Sequence, residues 1–399
     1  MAYGGTKFEL RGRVYWPRTP VERLQHFCPR FCPWPDCPAH HAAGRPTGFR
    51  RHGSYATRRR PAVPRFRCAA CRRIFSRQSF AVSFYLKRPE LLLPVAAGLQ
   101  AGSAQRQIAR SLGCAPSTVT RLSARLGRHS LLLLARSLRH LEGRLQEPVV
   151  LDHFETFEFT QDFPFGIATP VGRHSWFVYG LDPAPHARSG ARSPAQRARL
   201  AARPLRPRRG GYVASSSRVL RLLLSLRSVH RPLDLVSDGH PAYDRAVQGC
   251  GRPAAVRLHR FPNPPRGPKG APRSAAAIAR DRALFPVDAL HALLRHTAAH
   301  HRRETIAFGR RLDALMERLF LTVLWRNFVK GRSERRPDLT IPAMRLGLTS
   351  ERWSWRRVLA RRLFPGRENV PPTWRDLYNR NWTTPTLPFN TRHRLHQAY

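Results

Sequence analysis

The chain of 399 residues carries 71 lysines and arginines against 24 aspartates and glutamates, which gives a formal net charge of +47. Binding a large polyanion would best offset the repulsion among these positive charges, so nucleic acid is the expected partner. A membrane surface or a ribosome would also match the charge. Because 42% of the residues are hydrophobic, the composition excludes a disordered basic tail and predicts about two or three folded domains.

The apolar segments are too short for a membrane protein. The longest apolar runs, such as residues 131–135, fall far below the roughly 20 residues that a membrane-spanning helix needs. The N-terminus, MAYGGTKFEL, lacks the apolar core of a secretory signal peptide. We therefore expect a cytoplasmic protein, in which clustered cysteines bind a metal rather than form a disulfide framework.

A cysteine-rich segment predicts a structural zinc ribbon. Two pairs of thiolates on tight turns can close a tetrahedral Zn²⁺ site in a piece of chain too small to have a large core. Cys68 and Cys71 form a Cys-x2-Cys pair, and the proline-rich CPWPDC favours Cys32 and Cys37 as the other pair. Cys28 competes for the first pair. Nearby histidines offer further candidate ligands: His40, His41 and His52.

The next segment, SAQRQIARSLGCAPSTVTRLSARL, has helix-turn-helix spacing. Ser103 can cap a first helix, Gly113 permits the turn, and Pro116 can start a second helix. An ordinary helical hairpin has the same pattern, but the adjacent cysteines and the positive charge favour DNA binding. Residues 131–145 are predicted to continue as a connecting helix. The polar residues expected to face a DNA groove are Ser117, Thr118, Thr120 and Arg121.

After Pro148 the pattern changes to strands alternating with helices, which predicts a mixed α/β layer domain. The predicted strands are VVLDHFETFEF, HSWFVYGLD, LDLVSDG and AVRLHRF. A basic stretch at 185–211 is expected to be an exposed insertion, and a mostly helical region follows the last strand. In the Arg- and Trp-rich tail, the tryptophans either anchor the tail or stack on bases: Trp353, Trp355 and Trp374.

Three of the scarce acids are expected to converge at one edge of this sheet. Asp152 lies in the first strand, Asp238 ends a later strand, and Asp288 is expected at the start of the helix that follows the last strand. Clustered carboxylates repel one another unless a divalent cation neutralises them, and two Mg²⁺ ions promote phosphodiester transfer. As alternatives, Asp238 caps a helix or Asp288 is a helix N-terminal acid. Two neighbours rival Asp152: Glu155 and Glu158.

Three blocks of the sequence resemble the DDE transposases of bacterial insertion elements. LDHFETFEF is similar to the strand that carries the first aspartate of that family, and SDGHPAY is similar to its second-aspartate motif. PVDALHALLRH followed by RRETIAFGRR resembles the helix of the third acid. Together with the cysteines, these blocks span residues 28–311 and point to the short class with an N-terminal zinc ribbon and helix-turn-helix.

The resemblance implies a domain plan and an activity. It implies a zinc ribbon over 20–82, a helix-turn-helix region over 88–147, a ribonuclease-H-like catalytic domain over 148–335 and a basic C-terminal tail over 336–399. A nucleoid-associated protein of this kind binds the terminal repeats of double-stranded DNA as a homo-oligomer. With two Mg²⁺ ions, or Mn²⁺, it cleaves a strand and transfers the 3′ hydroxyl. The acids that would bind these ions are Asp152, Asp238 and Asp288.

The sequence departs from the family pattern in two ways. The third acid is usually glutamate, whereas Asp288 is one methylene shorter, so Glu317 is the main rival and Glu304 a weaker one. Insertions at 185–211 and 262–274 also lengthen the spacing between the acids. These departures keep open a non-catalytic DNA-binding descendant of a transposase and, less strongly, a structure-selective nuclease.

Overall fold

The structure is a computed structural model that describes residues 8–10, 13–15, 27–41, 48–57, 60–202, 211–265, 268, 270, 272–302, 305–335, 338–364 and 368–382. The chain is mixed α/β and divides into two compact units. The first contains the described residues up to 87 together with 360–364, and the second contains 88–359 together with 368–382. No helix in the described ranges combines the length and the apolar character that a membrane span requires.

The first unit is built from short strands and a four-residue helix. A three-stranded antiparallel sheet has the order β3-β4-β5, and β1 pairs only with β2 among the described strands. Its core is small and consists of buried cysteines surrounded by aromatic rings. The elements are β1 (Phe8–Leu10), β2 (Arg13–Tyr15), α1 (Pro38–His41), β3 (Phe49–Thr57), β4 (Arg60–Cys68) and β5 (Ile74–Ser76).

The second unit begins with three helices in the region of the predicted helix-turn-helix: α2 (Leu92–Gln100), α3 (Gln105–Ser111) and α4 (Pro116–Arg139). Gly113 makes the turn with a positive φ of 56°, and α4 begins at Pro116, as predicted. Ser103 does not cap α3. Instead Ala104 precedes the helix, and its N–H donates to the Gln107 side chain at 2.8 Å. The predicted connecting helix is the continuation of α4, which ends at Arg139.

The apolar run at 131–135 is buried because α4 packs along α9 (Leu312–Phe328). Gly127 lies at the closest approach of the two helices. A Cβ atom there would come within 2.4 to 2.6 Å of the backbone and Cβ of Glu317. Only glycine allows this distance, so the close packing of the two helices depends on Gly127.

A five-stranded sheet with the order β10-β9-β6-β7-β8 forms the centre of the second unit. Strand β7 is antiparallel to both β6 and β8, whereas β9 is parallel to β6, and β10 is parallel to β9. Buried apolar residues begin β6, as expected for a strand covered on both faces. The strands are β6 (Val149–Phe157), β7 (Pro164–Gly172), β8 (Asp182–Pro185), β9 (Leu233–Ser237) and β10 (Val256–Arg260).

Helices connect and cover this sheet. The predicted helix after Asp238 and the predicted strand at AVRLHRF are both confirmed, and the helix predicted before β9 is longer than expected. In the basic insertion, α5 has no buried residue, and residues 203–210 lie outside the described ranges. The remaining helices of this part are α5 (Pro194–Ala201), α6 (Gly211–Leu226), α7 (Pro241–Gln248) and α8 (Ala275–Thr297).

The prediction of a strand at HSWFVYGLD is wrong. The chain turns there instead, with Trp176 at a positive φ of 63°, and the second strand of the sheet is β7. Val178 forms an isolated bridge to Val171. On its other side, the Asn327 side chain accepts from the Val178 N–H and donates to the Val178 carbonyl, each at 3.0 Å. The Asn327 amide therefore makes the hydrogen bonds to Val178 that a neighbouring strand would make.

The tail adds three short helices: α10 (Pro342–Arg345), α11 (Trp355–Ala360) and α12 (Pro372–Asn379). Trp374 is buried against Phe320, and its indole N–H donates to the Leu181 carbonyl at 2.9 Å. Trp353 is also buried, against Phe328. These two tryptophans therefore anchor the tail, which was one of the two roles expected for them, and residues 383–399 lie outside the described residues.

Candidate functional site

The four predicted cysteines form one cluster in the first unit. Their Sγ atoms all lie within 4.8 Å of one another, with Cys32 and Cys71 at 3.7 Å and Cys37 and Cys68 at 3.8 Å. Four sulfurs placed tetrahedrally around Zn²⁺ at about 2.3 Å are separated by about 3.8 Å. The side chains therefore fit a structural zinc ion, and within the described part of the chain they are the one such group of three or more ligands this close together.

The other candidate zinc ligands have different contacts. His40 Nδ1 lies 2.7 Å from the Cys32 carbonyl, and His41 Nε2 lies 2.8 Å from the Pro35 carbonyl. Cys28 is exposed and is not in the cluster. The sulfur that lies close to the other three is that of Cys32 rather than Cys28, in agreement with the preferred first pair.

Burial and hydrogen bonding act on the cluster in opposite directions. Burial raises the pKa of the Cys32 thiol well above its usual value. Burial also acts on Cys68, but the N–H groups of Cys71 and Ala70 outweigh it and lower the pKa of that thiol. A bound dication would compensate for the burial of the thiolates, which is the usual reason that such clusters fold with metal.

The predicted DNA-facing residues lie in the first two turns of α4. Ser117, Thr120 and Arg121 are exposed, Thr118 is half-buried, and the intervening Val119 is buried. The Thr120 hydroxyl lies 2.9 Å from the side-chain oxygen of Gln105 of α3 and 3.1 Å from the Pro116 carbonyl, and these two acceptors share its one proton. Thr120 therefore links α4 to α3, while the exposed residues beside it are accessible to a ligand.

The first two acids come from neighbouring strands of the sheet. Asp152 lies in β6, and Asp238 directly follows the last residue of β9. The two strands are parallel, with Val150 of β6 paired with Val236 of β9. The charge of Asp238 acts on Asp152, so the two acids belong to the same region of the sheet.

The third acid is on a helix that packs on β6. His291 Nδ1 of α8 lies 3.7 Å from Asp152 Oδ2, and its ring contacts Phe154. Asp288 lies three residues earlier in α8, one turn of the helix from His291. The helix begins at Ala275 and is capped by the Ser274 side chain, so the expectation that Asp288 starts the helix, with its macrodipole alternative, is wrong.

The three carboxylates interact electrostatically. Burial raises the pKa of Asp152, and the charges of Asp238 and Asp288 raise it further, so that it reaches about 7. The His153 N–H, which donates to Asp152 Oδ1 at 2.7 Å, and Arg280 act in the opposite direction. The charges of Asp238 and Asp288 therefore both act on Asp152 in the folded protein.

Asp288 has a cationic partner in this arrangement. Arg280 Nη1 lies 2.5 Å from Asp288 Oδ2. Asp238 has a different local contact, because its Oδ1 accepts from the His240 N–H at 3.0 Å. The residue that caps α7 is His240 itself, whose Nδ1 accepts from the Ala242 N–H, so Asp238 is not the helix cap.

The rival acids are engaged elsewhere. Glu155 accepts from the Tyr212 hydroxyl, and Glu158 accepts from the Leu312 N–H at 3.1 Å at the start of α9. Glu317 is buried and forms a two-pronged ion pair with Arg380, with both distances 2.8 Å. Glu304 lies outside the described residues.

Several residues around Asp152 were not identified from the sequence. The Tyr243 hydroxyl lies 3.4 Å from Asp152 Oδ1 and 3.0 Å from His153 Nδ1. Thr169 donates to the Asp152 carbonyl at 2.9 Å and lies 2.7 Å from His291 Nε2. Tyr243 could have been identified from the sequence, because it lies within the SDGHPAY block. Thr169 could have been identified only if the position of β7 had been predicted correctly.

Comparison with known proteins gives no family assignment. No protein-family model, characterised protein or solved structure matches this chain. The functional argument therefore depends on the residues and geometry described above.

One buried acid outside this site, Asp313, is expected to make the stability of the folded protein depend on pH. Burial, and secondarily the charge of Glu317, raises the pKa of Asp313 from 3.8 to about 8. Because the folded state favours the neutral form, stability is lost as the pH rises from about 4 to about 8. We expect Asp313→Asn to be more stable than the wild type by roughly 3 kcal/mol at pH 9, and by a smaller amount at pH 5.

Urea unfolding followed by circular dichroism at both pH values measures this difference. Glu334→Gln is the matched control, because that side chain is 86% exposed and should give no pH-dependent change. If Asp313→Asn and the wild type lose equal stability between pH 5 and pH 9, Asp313 is ionised in the folded protein.

Proposed function

We propose that this protein is a DNA transposase of the DDE type. The observation that carries the proposal is that Asp152 of β6, Asp238 after the parallel strand β9 and Asp288 of α8 are near enough for burial and both neighbouring charges to raise the pKa of Asp152. Such a group of acids in a chain with a net charge of +47 suits the cleavage and joining of a bound polyanion.

The sheet topology supports a ribonuclease-H-like catalytic domain. That fold has three antiparallel strands followed by two strands that are parallel to the first and lie on its other side. The order β8-β7-β6-β9-β10 and the strand directions agree with this arrangement. The acids also fall on the first strand, at the end of the fourth, and on a helix after the fifth.

The proposed chemistry would use divalent metal ions held by the acids. Asp152, Asp238 and Asp288 would hold two Mg²⁺ or Mn²⁺ ions, which when bound activate the attacking oxygen and stabilise the leaving oxygen. The His153 N–H orients the Asp152 carboxylate, and the Tyr243 hydroxyl limits its rotation from the same side. Asp238 is held by the His240 N–H, so these two ligands are fixed before substrate binds.

The remaining parts of the chain would recognise DNA. The exposed face of α4, with Ser117 and Arg121, is suited to the major groove, and the zinc-ribbon unit would add a second contact to the terminal repeats. Joining two element ends requires two active sites at once, so we propose a homo-oligomer on double-stranded DNA in the bacterial nucleoid.

A strand-transfer assay tests the proposal. The full-length zinc-loaded protein is incubated with Mg²⁺ and a labelled DNA bearing the sequences that flank the coding sequence on both sides. Joining of the 3′ end to a target plasmid supports a transposase. Cleavage without joining indicates a nuclease instead, and binding without either reaction indicates a DNA-binding protein.

A specific observation favours the non-catalytic alternative. Asp288 is one methylene shorter than the glutamate expected at the third acid, and it is paired with Arg280 at 2.5 Å. In a regulatory descendant this ion pair would be permanent, and the protein would bind terminal repeats without metal. Binding of Mn²⁺ to the acids separates the two candidates.

A further inference from the structure

The side chain of Arg280 is directed into the acidic centre. It lies about two turns before Asp288 on α8, and its Nη1 is 2.5 Å from Asp288 Oδ2 and 3.6 Å from Asp281 Oδ1. The side chain is only 17% exposed, and within the described residues its Nε is buried without a hydrogen-bond partner. A guanidinium so placed is held mainly by the charge of the acids.

Arg280 is also the cation that acts on Asp152. Its charge lowers the pKa of that carboxyl, against the effects of burial, Asp238 and Asp288. Arg280 therefore opposes the mutual repulsion of the three carboxylates.

We propose that Arg280 is an internal counter-ion of the acidic centre, which a divalent cation must displace from Asp288 in order to bind. The inference rests on the proposed metal site. The guanidinium occupies Asp288 Oδ2, an oxygen that a metal ion would need, and two cations cannot share this oxygen without strong repulsion. The affinity for divalent metal in the absence of DNA is consequently lower than three carboxylates alone would give.

The test is direct titration of Mn²⁺ into the zinc-loaded full-length protein without DNA, followed by calorimetry. We expect Arg280→Gln to bind Mn²⁺ about tenfold more tightly than the wild type, because one competing positive charge is removed. Arg280→Lys keeps the charge but loses the guanidinium fork, so a smaller gain, about threefold, is expected. Arg273→Gln is the matched control, since Arg273 pairs with Asp281 at 2.5 Å, is 63% exposed and should leave the affinity unchanged.

The outcomes separate this inference from the proposed function. Tighter Mn²⁺ binding by Arg280→Gln supports the counter-ion role even if no strand transfer is found. Equal or weaker binding by both Arg280 variants, or no Mn²⁺ binding by any protein, overturns it. If strand transfer occurs while Arg280→Gln and the wild type bind Mn²⁺ equally, the counter-ion role fails and the transposase proposal stands.

Discussion

We expect Asp152→Asn and Asp238→Asn each to lower the rate of terminal-repeat cleavage about a thousandfold, while DNA binding is unchanged. Each substitution keeps the shape of the side chain and removes the negative charge that would hold a metal ion. Because one carboxylate comes from β6 and the other from the residue after β9, neither can replace the other. Single-turnover cleavage in Mg²⁺, with DNA affinity measured in parallel, gives both quantities.

Glu155→Gln is the matched control for this pair. It lies on the same strand as Asp152, but on the opposite face, where it accepts from Tyr212. Its cleavage rate should stay within a few-fold of the wild-type rate. Cleavage that persists in Asp152→Asn and is lost in Glu155→Gln would move the site to the other face of the sheet.

The same assay identifies the third acid. Asp288→Asn should match the loss seen for the other two aspartates, because Asp288 acts on Asp152 electrostatically. Glu317→Gln should lower stability instead, since it breaks the buried ion pair with Arg380. Retained cleavage in Asp288→Asn, together with a loss in a folded Glu317→Gln, would exchange the two roles.

The features that depend on local chemistry were predictable from the sequence. The proline-rich CPWPDC and the CAAC turn indicated which cysteines meet, and Gly113 followed by Pro116 indicated the turn and the start of α4. Each of these signals acts over a few residues. The residue types themselves indicate the local structure, because glycine allows a positive φ, proline favours the start of a helix and cysteine binds zinc.

The errors arose where distant residues decide the structure. HSWFVYGLD has the composition of a strand, but the amide of Asn327, 149 residues away, makes the hydrogen bonds that a strand would supply. The start of α8 was placed too late: Asp288 was expected at the start of the helix, whereas the helix begins at Ala275 and contains Pro286 in its interior. Arg280 and Asp288 pair within this longer helix, so the pair could not be predicted once the helix start was misplaced.

The zinc cluster gives the second large effect. We expect Cys68→Ser to abolish zinc binding and to unfold the first unit, because the cysteines form the centre of a core that otherwise consists of a few aromatic rings, including Phe66 and Phe75. Apparent binding energies of structural zinc sites are about 10 kcal/mol or more, which exceeds what so small a core can supply. Zinc content by a colorimetric chelator and proteolysis within residues 28–80 measure the two effects.

Cys28→Ser and Cys114→Ser are the controls, because neither cysteine is in the cluster. Both variants should keep one zinc ion per chain and the wild-type proteolysis pattern. Since the exposed Cys28 precedes the cluster by only four residues, loss of zinc in Cys28→Ser with zinc retained in Cys32→Ser would show that the first pair is misassigned. A folded, protease-resistant first unit in metal-free protein would instead show that the aromatic core is sufficient without the metal.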